Sequence, residues 1–147
     1  MALEAAAVNH GVRDRRDKIY SFDLVESPPQ ASPDEFPCYE VDMMPCIREI
    51  VQEVKLGRLP GDISGSFHAT LVKAFVAAAC RIGIDTGIKK VVLSGGVFNN
   101  NLVLVRTISG LESQGFTVYT HTKVPTGDGG ISLGQALVAA ATTIPTQ

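Results

Sequence analysis

The stretch from Ile88 to Thr120 limits the possible folds more than any other part of the chain. IKKVVLS (88–94) has the β-branched density of a buried strand, and NLVLVRTISGLESQ (101–114) repeats apolar residues at three- and four-residue steps. FTVYT (116–120) then returns to strand chemistry. A helix-bearing connection of this length is too long for a hairpin and right for a crossover. Parallel strands joined by a right-handed β-α-β unit are therefore predicted, and with them an α/β fold containing a mixed sheet.

The flanking segments fit round that unit. KIYSFDLVE (18–26) alternates as a strand, and CYEV (38–41) is a short partner for it. Between them SPPQASPDEFP (27–37) holds four prolines in eleven residues, which makes it a surface loop. Asp42 is placed to cap a helix running to about Leu56, with Met43, Ile47, Ile50, Val51 and Val54 on one face and Gly57 beyond its end. A longer helix over 62–83 starts at Pro60-Gly61-Asp62, with Phe67, Leu71, Phe75, Ala78 and Ile82 on its apolar face. MALEAAAV reads as a short helix, and a last helix covers about 130–141. With 147 residues the chain suits one domain, 1–147, with a real core.

Composition narrows the function classes. Hydrophobic residues make up 45% and aromatics 6%, with no Trp, which places the apolar weight in aliphatic side chains. A net charge of −2 without a basic stripe gives no electrostatic footing for nucleic acid. Cys38, Cys46 and Cys80 form no CxxC pair, which speaks against a disulfide framework or a cysteine zinc site and fits a reducing cytoplasm. The first residues lack the order of a signal peptide, and Lys73 and Arg81 interrupt the most apolar helical stretch. No membrane span is expected.

Chemistry concentrates in two glycine turns. VVLSGGVFNNN ends a strand in bare backbone, where unhindered N–H groups at a helix start suit an anionic oxygen such as phosphate. It is neither a Walker A loop nor GxGxxG, and tight helix–strand packing would account for it too. TGDGGISLGQA repeats the device, with Gly127, Gly129 and Gly130 around a lone carboxylate, Asp128. Asp128 is either a helix cap or a group that reaches a metal or phosphate through open backbone. Two such turns in one α/β unit predict a crevice beyond the strand ends. His68 reads as a buried histidine bonded to a backbone carbonyl, His121 as loop or cleft lining, and Cys80 as core.

LSGGVFNNNLVL followed by HTKVPTGDGGISLGQA resembles the C-terminal end of the HypF family of carbamoyltransferases, maturation factors of nickel–iron hydrogenases. GSFHATLVKAFV resembles the helix ahead of that family's SGGV turn, and ALEAAA its LEA segment. The related tRNA threonylcarbamoyl transferases share the GGV turn and an Asp-Gly element but not this wording. The resemblance implies the second lobe of an actin/sugar-kinase/Hsp70-type (ribonuclease H-like) fold. It implies that Gly95, Gly96, Val97 and Asn100 approach nucleotide phosphate, that Glu4 lies near the ribose, and that Asp128 binds a divalent metal. The nucleotide would be ATP-derived carbamoyl adenylate, and the acceptor a cysteine at the C-terminus of a HypE-like partner.

The chain departs from that pattern in places. The family's other metal ligands are an HxxxH pair in the first lobe, and His10, His68 and His121 are not so spaced. Thr126-Gly127 stands where relatives commonly carry Pro-Asn. Zinc-finger and carbamoyl-adenylating segments are absent from the 147 residues. Half of a cleft is expected, inactive by itself, with an exposed apolar wall prone to self-association. A non-catalytic binding or scaffolding module, or a lobe of a tRNA threonylcarbamoyl transferase-like protein, is the alternative.

Overall fold

A computed structural model describes residues 17–27 and 38–143. Two short strands, β1 (Asp23–Ser27) and β2 (Cys38–Asp42), pair antiparallel from Asp23↔Asp42 to Ser27↔Cys38. Helix α1 (Met44–Lys55) follows, then the long α2 (Pro60–Thr86). Strand β3 (Lys90–Leu93), helix α3 (Asn101–Ser113) and strand β4 (Thr117–Thr120) form the expected crossover. β3 and β4 are parallel, in register from Lys90↔Thr117 to Leu93↔Thr120. Helix α4 (Ile131–Thr143) closes the described chain. Glu4, the ALEAAA segment and the loop residues 28–37 lie outside the described residues.

The expected mixed sheet does not form among the described residues: β1–β2 and β3–β4 are two separate sheets. Each is held to α2 by its own contacts. Arg81 of α2 donates to Tyr39 Oη of β2 at 2.9 Å and pairs with Glu26 of β1 at 3.5 Å. The parallel pair instead packs apolar atoms on the same helix. Val76, Leu93, Leu111 and Phe116 are its buried centre, with Ala79, Cys80, Val91 and Val118 packed round them. Strand 88–94 is also shorter and less buried than its composition predicts. Leu93 is buried while Val92 is 66% exposed, because α2 and α3 cover a single face of the sheet.

Turn chemistry explains where α1 and α3 stop. Gly57 (φ 75°) and Gly115 (φ 79°) both adopt the left-handed conformation just past a helix end. Phe116 N–H then reaches back to the Leu111 carbonyl at 3.1 Å while Gly115 N–H bonds Glu112 at 2.9 Å. The same reversal seats Phe116 on Leu111, so the turn that ends α3 also builds the core. At the other end of α1, Asp42 accepts from Met44 N–H at 2.8 Å.

Helix α2 runs longer than 62–83 and buries a different face from the one its large residues suggest. Phe67, Leu71, Phe75 and Ala78 are half-buried and Ile82 is exposed; Ser64, Ser66, His68, Thr70, Ala74 and Val76 are buried. Small and polar residues let neighbours approach closely and find hydrogen bonds, which outweighs the area offered by large side chains. By length and hydropathy α2 would suffice for a membrane span, but its buried positions are those of a central packing helix.

The strand reading of 18–26 holds only for its second half. Residues 17–22 are held by side chains instead of a strand partner. Tyr20 N–H donates to Thr70 Oγ1 at 2.8 Å, and Ser21 N–H to Glu49 Oε1 at 2.8 Å. Tyr20 O–H and Arg58 both donate to Glu53 Oε2, and Lys18 pairs with Glu49 at 2.8 Å and Glu53 at 3.0 Å. Lys18 holds the Glu49 carboxyl down to about 2. Burial pushes Glu53 up, but the bonds from Tyr20, Arg58 and Lys18 outweigh it and leave that carboxyl also at about 2. Burial, then Glu53, pushes the Tyr20 hydroxyl up to about 12.

Both carboxyls ionise more readily in the fold than at their ordinary value of 4.5. Their stabilisation is therefore complete above that pH and is lost as pH falls towards 2. Chemical denaturation across this window should show stability falling with pH, and Glu53→Gln should flatten the slope while lowering stability at neutral pH. An unchanged slope in Glu53→Gln would contradict the network's role.

Candidate functional site

The first glycine turn leaves β3 at Ser94 and coils as a single 3-10 turn, Gly96–Asn99, before α3. Gly95 sits at φ 105° and ψ 160°, a region essentially closed to residues with a Cβ. The second turn follows β4 and coils over Asp128–Gly130 into α4. Since β3 and β4 are parallel neighbours, both turns emerge at the same end of the sheet. Ser94, Gly95, Gly96, His121, Thr126, Gly127 and Asp128 line one open concavity of about 480 Å³, with Leu133 and Leu137 of α4 along its far wall.

The turns are bonded to each other. Gly95 N–H donates to the Thr126 carbonyl at 2.7 Å, and Thr126 O–H donates to Asn99 Oδ1 at 2.8 Å. Gly127 packs with its Cα side against Gly96, close enough that an added Cβ would lie 3.8 Å from Gly96 Cα. His121 Nε2 lies 2.9 Å from Ser94 Oγ, which puts that histidine on the cleft wall rather than in an idle loop.

The structure sorts the residues singled out in the sequence. Gly95, Gly96 and Asp128 come together in the concavity, as the spacing of the turns predicts. Gly95 does so structurally, its N–H being spent on Thr126. Gly96 and Val97 N–H meet no acceptor among the described residues. Asp128 is not a helix cap: it lies inside the 3-10 turn, and among the described residues its exposed carboxylate makes no hydrogen bond or ion pair. Asn100 does not line the concavity. It caps α3, its Oδ1 accepting from Val103 N–H at 3.1 Å, and its amide nitrogen faces His68 Nε2 at 3.0 Å. Val97, half-exposed, does not line the concavity either.

Sequence reasoning marked Thr126 only as a departure from the family pattern and missed its part in joining the turns. Threonine in a Pro-Thr-Gly run carries no motif signal, and its bond to Asn99 depends on strand register. A metal is a separate question. Among the described residues no three His, Cys, Asp or Glu side chains gather, so the Asp128 carboxylate, with His121 on the same wall, is what this face offers a cation. The residues present fit an anionic group at the first turn and do not complete a metal site.

Two alanine substitutions separate scaffold from cradle. Gly95→Ala should cost about 1–3 kcal/mol of stability through its backbone conformation. Gly96→Ala meets nothing within 4 Å and has ordinary backbone geometry, so thermal unfolding should register little change. Its new methyl should instead hinder a ligand at the turn. Equal destabilisation by both would contradict this division.

Known proteins resemble this chain in sequence and in overall fold. Residues 1–135 match the family described as carbamoyltransferase, Kae1-like domain, second subdomain. The carbamoyltransferase HypF of Rhodobacter capsulatus is 37% identical over 105 residues, covering 67% of this chain and 14% of that protein. HypF2 of Cupriavidus necator is 35% identical over 99 residues, 67% of this chain and 12% of that one. A crystal structure of full-length HypF in the phosphate- and nucleotide-bound form superposes with a TM-score of 0.78 at 35% identity, over 98% of this chain and 17% of that one. The HypF of T. kodakarensis gives a TM-score of 0.69 at 27% identity, over 97% of this chain and 16% of that one. The chain therefore spans about a seventh of the relatives' length. It belongs to the HypF carbamoyltransferase family, as the second subdomain of the Kae1-like domain.

Proposed function

We propose that this chain is the phosphate-facing half of a carbamoyltransferase site, built as one lobe of an actin/sugar-kinase/Hsp70-type fold. One observation carries the reading: two glycine turns bonded through Gly95 and Thr126 set Gly96, whose N–H meets no acceptor among the described residues, and Asp128 around one opening, and the Val97 N–H next along the turn is unbonded as well. Backbone donors with no side chain in front of them suit a phosphate oxygen. The phosphate- and nucleotide-bound state of the similar HypF supports a nucleotide as its carrier.

The nucleotide in this reading is carbamoyl adenylate. A cysteine thiolate of a HypE-like acceptor attacks the carbamoyl carbon, a C–S bond forms, the C–O bond to phosphate breaks, and AMP leaves with the electron pair. Donors at Gly96 and Val97 steady the phosphate as it gains charge. Asp128 faces the same opening as an unpaired anion, and an anion beside a phosphate is repulsive without a cation between them. Asp128 is accordingly proposed as one ligand of a divalent metal whose other ligands lie outside this chain. Leu133 and Leu137, with Ile131 and Val138, expose apolar surface on α4, as Met44, Ile47, Val51 and Val54 do on α1. Such faces fit burial against the remaining domains, or against a second copy when those are missing.

By this reading the 147 residues alone transfer no carbamoyl group, since orientation and water exclusion need the other half of the cleft. Joined to a first lobe carrying HxxxH, the protein should transfer carbamoyl to the acceptor cysteine. Asp128→Ala in that longer protein should abolish transfer with circular dichroism unchanged. Full activity in Asp128→Ala would remove the assignment, and a non-catalytic docking module would then be the better description.

A further inference from the structure

His68 lies in α2, 4% exposed, one helix away from the glycine turns, and both edges of its ring are bonded. Nδ1 is 2.7 Å from the Ser64 carbonyl oxygen. A carbonyl can only accept, so the ring proton resides on Nδ1 and Nε2 is left as an acceptor. Facing Nε2 at 3.0 Å is the amide nitrogen of Asn100, which can only donate. The remaining end of that amide, Oδ1, accepts from Val103 N–H. Turning the amide over would set oxygen against a lone pair and NH₂ against an N–H. The tautomer of one buried histidine thus fixes the direction of one asparagine.

Asn100 is also the last residue of the first glycine turn. Its own N–H donates to the Val97 carbonyl at 3.1 Å, and Phe98 N–H donates to the Gly95 carbonyl at 3.2 Å. From the adjacent Asn99 the bonding continues to Thr126 and back to Gly95. We propose that His68 is a positioning residue: through Asn100 it anchors the Gly95–Asn100 turn to α2 and so aims the Gly96 and Val97 N–H groups at the ligand. The ligand part of this inference rests on the phosphate-binding reading above; the geometric part does not.

Two conservative substitutions test it. His68→Asn places a polar group near the Nδ1 position, keeping a bond to Ser64 and losing Asn100. His68→Gln reaches the Nε2 position and restores an acceptor for Asn100. In the full chain, amide hydrogen exchange at Phe98 and Asn100 should quicken roughly five- to tenfold in His68→Asn, the loss expected for one buried hydrogen bond. It should stay near wild type in His68→Gln, with the β3–β4 amides unchanged in both. Affinity for AMP, followed by chemical-shift titration, should fall in the same order. Equal exchange in the two variants, or a rise spread evenly over the sheet, overturns the proposal. Nitrogen NMR of the unmutated chain supplies a check that needs no variant: a proton on Nε2 instead of Nδ1 overturns it as well. Exchange in the predicted order without any AMP binding would leave the positioning role standing and remove the phosphate reading.

Discussion

The hydrogen bond from Gly95 N–H to the Thr126 carbonyl, 2.7 Å long, joins segments about thirty residues apart. Without it, two loops would leave neighbouring strands independently, and their glycines would be flexible linkers. With it, the loops share one wall of a cleft. The bond is possible only because β3 and β4 are parallel and adjacent, and because Gly95 holds a backbone conformation that other residues avoid. Thr126, using its hydroxyl on Asn99, makes the connection two-pronged.

That connection stands on a support of ordinary packing. The crossover helix α3 packs along α2 closely enough that a Cβ on Gly110 would meet Val76 Cγ2 at 2.8 Å. Val76 belongs to the same buried cluster as Leu93 and Phe116, the residues just before the first glycine turn and just before β4. Core and site are therefore coupled through short pieces of chain. On its other side α2 is tied to residues 17–22 and α1 by the Tyr20–Glu53–Arg58 network, a mostly polar contact with Thr70 and Ser66 taking part.

Much of this was legible in the sequence, and the limits have physical causes. The crossover could be read because length and periodicity leave few alternatives, and the convergence of Gly95, Gly96 and Asp128 follows from parallel pairing. The β1–β2 pairing was legible as well. The mixed sheet was not, because strand composition says nothing about which strands share an edge. Helix α2 misled through its large residues: Phe67, Leu71 and Phe75 promised the inner face, yet hydrogen bonds of Ser64, His68 and Thr70 placed small polar residues there. Asn100 misled in another way. A family motif assigns it to phosphate, whereas here its two amide ends are occupied by Val103 and His68. Motifs report residue identity, and the direction of a side-chain amide depends on partners distant in sequence.

The central claim is that the paired turns form one anion-binding wall. A titration of the isotope-labelled chain with inorganic phosphate and then AMP, read by amide chemical shifts, tests it directly. The account predicts that the largest changes fall on Gly96, Val97, Asp128 and Gly129, with both turns responding at the same ligand concentration. Changes confined to α1 or to the β1–β2 hairpin, or a first turn that responds while the second stays silent, would contradict it.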